Sequence, residues 1–131
     1  MKPVESGRAG LVRRQIAAYN RGDFDASLAG TDPGIEWVVA REHPAARTVR
    51  GHDELRAYHQ DWQGTMPGLA IEIVEIDECG DSVLSVCRLR GTGAGSGAEV
   101  GVDVAFVSRF RGDLIVRVEE YLDANDARAA L

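Results

Sequence analysis

The chain has 131 residues, 44% hydrophobic and 27% charged, which predicts one folded domain (residues 1–131) with a core of its own. Its net charge of −6 argues against nucleic acid or an anionic membrane surface as the main partner. No apolar run approaches the roughly 20 residues of a membrane span, no signal peptide is evident, and two cysteines are too few for a disulfide framework, so we expect a cytoplasmic protein.

The first half of the chain is predicted to be mainly helical. Val12, Ile16 and Tyr19 recur at helical spacing and indicate an amphipathic helix that Gly22 ends. Asp23 is a suitable N-cap for a short second helix. These patterns predict helices over 10–20, between Asp23 and Gly30, and over 51–66, with a turn at 32–34, a strand over 35–39 and a very short strand at 48–50.

The second half alternates between apolar and polar residues, which predicts strands joined by tight turns. A slip of parity between Ile73 and Val74 predicts a bulge or burial on both faces. Helices followed by a strand meander indicate an α+β fold, in which a curved, mainly antiparallel sheet wraps around the N-terminal helices as an open-mouthed cone. The predicted strands span 69–77, 82–90, 99–110 and 114–122, and a short tail helix begins at about 124.

Nucleotide and metal chemistry are both disfavoured by the sequence. The glycine-rich segment 91–97 contains part of a dinucleotide motif, but a strand follows it where that motif needs a helix, which favours a hairpin loop. His43, His52 and His59 fit no familiar metal-ligand spacing. We place His52 near a helix N-terminus and His59 on the solvent side, and we expect neither a metal nor another cofactor.

Aromatic residues are few but concentrated where the helices and the sheet are predicted to meet. Tyrosine and tryptophan have polar tips that need a hydrogen-bond partner when they are buried. A pocket that uses these tips and an ordinary packed core are both compatible with the pattern. The residues concerned are six of the eight aromatic residues in the chain: Tyr19, Trp37, Tyr58, Trp62, Phe106 and Phe110.

The last strand carries one acidic residue on its apolar side. Glu120 shares its parity with Val118 and Leu122, so it points into the interior if the valine row faces the helices. A carboxylate buried there has a raised pKa and can act as an acid or a base near neutral pH. An ion pair with Arg88 or Arg90, or exposure at the mouth, is the alternative. We favour an outward orientation for both arginines, whereas an inward one would suit an anionic ligand.

Six short motifs are spread over nearly the whole chain: Ala17–Asp25, Ile35-Glu36-Trp37, Arg50–Leu55, Gly95-Ser96-Gly97, Arg111–Arg117 and Glu120–Asp123. In their order and spacing they resemble the SnoaL-like branch of the nuclear transport factor 2-like superfamily, which includes ketosteroid isomerases and polyketide cyclases. The resemblance implies a cone-shaped α+β barrel, a deep apolar pocket and a homodimer formed through the outer face of the sheet.

The resemblance does not define the chemistry. The base of ketosteroid isomerases falls here on Val38, or on Trp37 with a slip of one residue. Their oxyanion-binding tyrosine falls near Gln15, with Tyr19 one helical turn further on, and their second oxyanion-binding acid falls near Phe106 and not on Asp103. The resemblance therefore disfavours steroid isomerisation. Limonene epoxide hydrolases have an acidic residue at the start of the last-strand motif, and SnoaL-type cyclases use an aspartate in the pocket as acid and base. Glu120 is the residue of this chain that matches both places.

We therefore expect a pocket for a small apolar or weakly polar molecule. If the protein is an enzyme, Glu120 moves a proton in an isomerase, cyclase, dehydratase or hydrolase reaction that needs no cofactor. A non-catalytic ligand-binding or dimerisation module is the alternative, and the dimer would use the mixed outer face that carries Arg117, Glu119 and Tyr121. The residues expected to line the pocket are Tyr19, Trp37, Tyr58, Trp62, Phe106 and Glu120.

Overall fold

A computed structural model describes residues 7–92 and 97–131. The N-terminal segment 1–6 and the middle of the predicted glycine-rich loop, 93–96, lie outside the described residues. None of the helices in the described ranges is both long enough and apolar enough to cross a membrane. The elements are α1 (Gly7–Asn20), α2 (Phe24–Ser27), β1 (Thr31–Val38), β2 (Thr48–Arg50), α3 (Gly51–Thr65), β3 (Ala70–Cys79), β4 (Ser82–Thr92), β5 (Glu99–Arg111), β6 (Leu114–Tyr121) and α4 (Ala124–Ala129).

The six strands form one mixed sheet in the order β2-β1-β6-β5-β4-β3. Every neighbouring pair is antiparallel except β1 and β6, which run parallel. The predicted α+β fold, with N-terminal helices on a mainly antiparallel sheet, is confirmed. The sheet does not close into a barrel, because β2 and β3 are its two edges.

The first strand differs from its prediction. β1 begins at Thr31 and includes the segment 32–34 that the sequence predicts to be a turn. The local turn chemistry is present, since the Asp32 carboxylate accepts a hydrogen bond from the Gly34 backbone N–H at 2.7 Å. It produces an irregularity in the pairing with β6 between Thr31 and Glu36, and the strand continues through it.

The predicted slip in the third strand is a β-bulge. The pairing of β3 with β4 shifts between Ile73 and Glu75, which leaves Val74 as the extra residue. Val74 is 62% exposed, so the bulge turns a valine outward and keeps the isoleucines on the inner face.

Helices α1 and α3 pack on the inner face of the sheet, and α4 covers part of the outer face. The inner core includes Ile35 and Leu55, which are at most 2% exposed. On the outer face, Ala127 of α4 is fully buried against Leu84 and Val107. The layer between the helices and the sheet therefore contains the main core and the site described below.

The end of α1 is tied to the edge strand β3. The Asn20 side chain donates to the Ile71 backbone carbonyl at 2.9 Å and accepts from the Ile71 N–H at 2.8 Å. This pair of bonds satisfies backbone groups at a sheet edge that would otherwise face solvent. It also fixes α1 across the open side of the sheet.

Replacing Leu55 by alanine tests how strongly α3 is held on the sheet. Leu55 is 2% exposed, so we expect the free energy of unfolding to fall by about 2–5 kcal/mol in urea denaturation. Leu114→Ala is the control, because Leu114 is 40% exposed and should lose under about 1 kcal/mol. Equal losses in the two variants would contradict the packing described here.

Candidate functional site

A cavity of about 300 Å³ lies between the helices and the inner face of the sheet. Its wall is formed by α1, α2, α3, the loop between β1 and β2, and side chains of strands β1, β3, β4, β5 and β6. This volume equals roughly ten molecules of liquid water and lies at the small end of the range for ligand-binding pockets. Most of the lining atoms are apolar.

The structure brings all six sequence-predicted residues to this cavity, although their role in binding stays a prediction. Tyr19 and Tyr58 are buried, and the other four are partly buried. The six residues are contributed by α1, β1, α3, β5 and β6, and they are Tyr19, Trp37, Tyr58, Trp62, Phe106 and Glu120.

Glu120 projects from β6 into the cavity wall and accepts three hydrogen bonds. Its Oε2 accepts from the Trp37 indole N–H at 2.5 Å and from the Tyr58 hydroxyl at 2.8 Å. Its Oε1 accepts from the backbone N–H of Ala40 at 3.2 Å. Oε2 thus accepts from two side-chain donors, whereas Oε1 accepts a single long bond and keeps acceptor capacity for a further donor.

Burial and hydrogen bonding act in opposite directions on this carboxyl. Removal from water raises the pKa of Glu120, and the bonds from Trp37, Tyr58 and Ala40 partly offset the rise. The net direction is upward from the ordinary value. A raised pKa makes the ionised carboxylate a stronger base than an exposed glutamate.

The alternative of an ion pair between Glu120 and the arginines of β4 is wrong. Arg88 is exposed on the outer face and bonds the Asp103 carboxylate at 3.0 Å. Arg90 is also exposed and lies 3.9 Å from Glu72. Among the described residues, none that lines the cavity is an arginine or a lysine.

Both cavity tyrosines remain protonated at neutral pH. Burial raises the pKa of Tyr19 to about 12. Burial, together with the nearby charge of Glu120, raises the pKa of Tyr58 as well. Tyr58 therefore acts as a hydrogen-bond donor to Glu120. The Tyr19 hydroxyl is neutral and has Gln63 as a side-chain hydrogen-bond partner.

The sequence-based placement of His59 on the solvent side is wrong. His59 lines the cavity, and its ring packs edge-on against Tyr19 at 5.3 Å and Trp37 at 5.2 Å between centroids. Burial lowers the pKa of His59 to about 4, so the imidazole is neutral at pH 7. The sequence contained the information needed to place His59 correctly, because residues 55, 58, 59 and 62 have the spacing of one helix face.

Sequence reasoning also missed other polar residues of the wall, among them Ser85 and His43. Ser85 is 0% exposed. It alternates with Cys87 and Leu89 along β4, so it lies on the same face of the strand as these two buried residues. His43 comes from the loop between β1 and β2 and packs against the Trp62 ring at 5.5 Å. The contact between His43 and Trp62 could not be predicted, because a loop has no regular spacing of residues from which to infer it.

No group of three or more histidine, cysteine or acidic side chains in residues 7–92 and 97–131 is arranged to hold a metal ion. His43 and His59 both line the cavity, whereas His52 does not. His43 accepts from the Ala45 N–H, and the ring of His52 bonds the Thr31 carbonyl at 2.9 Å. The polar groups of the cavity wall therefore include the carboxyl groups of Glu42 and Glu120, together with histidine, tyrosine and serine side chains.

Comparison with known proteins agrees with this architecture. The family model for the SnoaL-like domain matches residues 12–118, and the chain belongs to that family. No curated protein matches the chain.

Solved structures give the same fold. A protein from Jannaschia sp., provisionally assigned as a SnoaL-like polyketide cyclase, has a TM-score of 0.78 and 18% identity over 99% of this chain and 94% of its own. An NTF2-like protein from Burkholderia thailandensis has a TM-score of 0.76 and 29% identity over 92% and 95%. A hypothetical protein from Catenulispora acidiphila with a ketosteroid isomerase-like fold, in complex with trimethylamine, has a TM-score of 0.77 and 18% identity over 88% and 86%.

The neutral, buried His59 predicts a loss of stability in acid. The unfolded chain binds a proton at this residue below about pH 6.5, whereas the folded protein does so only near pH 4. The free energy of unfolding should therefore fall by up to about 3 kcal/mol between pH 7 and pH 4 from this group. Urea denaturation at several pH values measures it.

His59→Gln should flatten that decline, because the variant has no titrating group at this position. His52→Gln is the matched control, since His52 lies outside the cavity lining. If wild type and His59→Gln lose stability at the same rate with falling pH, the burial of a neutral His59 is contradicted.

Proposed function

We propose that the protein binds a small, apolar or weakly polar molecule in the cavity and transfers a proton with Glu120, without a cofactor. The observation that carries the proposal is the position of the carboxylate: Oε2 is held by Trp37 and Tyr58, and Oε1 retains room for a partner in an apolar cavity. Isomerisation, cyclisation, dehydration and hydrolysis all need such a proton transfer.

The arrangement supports catalysis because it orients the carboxylate before a substrate arrives. Trp37 and Tyr58 come from β1 and α3, so two elements fix the position of the Glu120 carboxylate. Desolvation makes the ionised form a stronger base than a carboxylate in water. The solved relatives support the binding half of the proposal, since the Catenulispora protein holds a small molecule, trimethylamine.

A non-catalytic ligand-binding module is the second candidate. The same two side-chain bonds to Oε2 hold the Trp37 and Tyr58 rings in place as parts of the cavity wall. In that case Glu120 would shape the cavity and would not exchange protons with a ligand. The two candidates can be distinguished with a probe reaction that needs a base in the cavity.

The probe reaction is the elimination of 5-nitrobenzisoxazole. The carboxylate takes the proton on C3, the C–H electron pair forms the nitrile, and the N–O bond breaks to release a coloured cyanonitrophenolate. We expect Glu120→Gln to lower the rate by about 100-fold or more, because general-base catalysis contributes at least this much. Absorbance measures the product, and quenching of Trp37 and Trp62 fluorescence measures binding of the probe.

Glu72→Gln is the control, because Glu72 lies in β3 with its side chain 59% exposed. Far-UV circular dichroism and thermal unfolding establish that both variants are folded. If the probe binds and reacts equally fast with wild type and Glu120→Gln, Glu120 is not the base. The second candidate, a non-catalytic ligand-binding module, would then be favoured.

We also propose a homodimer formed through the outer face of the sheet, in the cytoplasm. Support comes from the row of Arg109, Arg117, Glu119 and Tyr121, in which Glu119 accepts bonds from the other three side chains. Opposite charges in one row allow a second copy to pair with it across a two-fold axis. Light scattering at micromolar concentration should give twice the 14.2 kDa chain mass, and a monomer would contradict the dimer.

A further inference from the structure

The loop between β1 and β2 holds the ring of His43 at the cavity in a fixed orientation. His43 is half-buried and lines the cavity. Its ring packs edge-on against the Trp62 ring of α3 at 5.5 Å between centroids. Its Nδ1 accepts a hydrogen bond from the Ala45 backbone N–H at 3.0 Å. Contacts with two different elements therefore fix both the position and the rotation of this imidazole.

The bond from Ala45 also determines which nitrogen of His43 carries the hydrogen. A ring nitrogen that accepts an N–H has no hydrogen of its own, so the hydrogen of the neutral imidazole is on Nε2. Nε2 points away from the Ala45 backbone, and it has no hydrogen-bond partner within residues 7–92 and 97–131. The ring edge that remains for the cavity thus carries an N–H donor.

The nearest donors to Glu120 are already committed within the protein. The Trp37 indole N–H and the Tyr58 hydroxyl both donate to Oε2 of Glu120. The Tyr19 hydroxyl has Gln63 as a side-chain partner. None of these three groups is free to meet a ligand without giving up a bond that holds the site together.

Two other polar groups of the wall lack a partner but have no fixed direction. They are His59 Nδ1 and Ser85 Oγ, both buried. No hydrogen bond sets the tautomer of His59, and a serine hydroxyl rotates about its C–O bond. The donor of His43 differs from both because its direction is set before a ligand arrives, as stabilisation of a developing charge requires.

His43 is also electrostatically coupled to Glu120. A positive charge on the His43 ring lowers the pKa of the Glu120 carboxyl, so the two groups interact across the cavity. A base and an N–H donor that line one cavity act on a bound molecule at two points. When the base removes a proton, the electron pair left behind moves to another atom of that molecule, and a donor at that atom stabilises the new charge.

We propose that His43 is a second catalytic residue, whose Nε2–H donates a hydrogen bond to the substrate oxygen that becomes negative while Glu120 takes the proton. The inference rests on the base chemistry proposed above. A C–H bond of the substrate breaks, an O–H bond forms on Glu120, and the negative charge of the carboxylate passes to the substrate oxygen. The imidazole keeps its hydrogen throughout.

Two probes that differ in their leaving oxygen test this role. 5-Nitrobenzisoxazole releases a phenolate whose charge the nitro group disperses, whereas unsubstituted 1,2-benzisoxazole releases the more basic 2-cyanophenolate. A hydrogen-bond donor assists the more basic oxygen more strongly. We expect His43→Phe to lower kcat/KM by about tenfold or more for the unsubstituted probe and by less than about threefold for the nitro probe. Liquid chromatography measures both products.

The variants separate a donor from a wall residue. His43→Phe keeps an aromatic ring against Trp62 and removes both nitrogens, whereas His43→Gln returns an N–H donor and should recover part of the loss with the unsubstituted probe. His52→Gln is the control, because His52 lies outside the cavity lining, and it should leave the ratio of the two rates unchanged. Equal losses with both probes in His43→Phe would overturn the proposal, as would a selective loss in His59→Phe instead.

The tautomer can be measured without any probe. In mildly alkaline buffer, ¹⁵N NMR should show the hydrogen of His43 on Nε2, with His43→Phe assigning the resonances, and a hydrogen on Nδ1 would overturn the donor role. If Glu120→Gln reacts as fast as wild type with both probes, the proposed base chemistry fails and this inference fails with it. A reaction that depends on Glu120 but shows no selective effect of His43→Phe would contradict only the inference.

Discussion

The burial of the Glu120 carboxylate against the Trp37 indole and the Tyr58 hydroxyl is the interaction on which the site depends. It joins β6, β1 and α3 at one point through two side-chain hydrogen bonds. A carboxyl group in an apolar wall is costly unless its oxygens are satisfied, and neutral donors satisfy it without cancelling its charge. The result is a carboxyl group fixed in the cavity wall, with Oε2 bonded by two side chains and Oε1 by one backbone N–H.

The cavity around Glu120 remains open because of the way the helices and the sheet pack. An open six-stranded sheet with helices on its inner face leaves a space that a solid core would fill. His59 and Ser85 keep polar atoms in that wall without partners, which lowers the stability of the free protein. Unsatisfied groups and an unfilled volume at the same place are typical of a site shaped for binding.

Much of this architecture was predictable from residue patterns, and the exceptions have physical causes. Alternation along β6 identified Glu120, and helical spacing in α3 identified Tyr58, because both elements have one buried face. The turn expected at 32–34 is real locally, but pairing with β6 extends the strand through it. His59 was missed because histidine is polar by type, although its position on the α3 stripe gives it a buried environment.

The protonation of Glu120 is the most direct test of this account. Proteins labelled with ¹³C at the glutamate carboxyl carbon would be titrated by NMR, with Glu120→Gln assigning the resonance. The account predicts that the Glu120 carboxyl titrates above the ordinary glutamate value of 4.5, because desolvation outweighs its three hydrogen bonds. A Glu120 resonance that titrates at or below that value would contradict the buried base at the centre of the site.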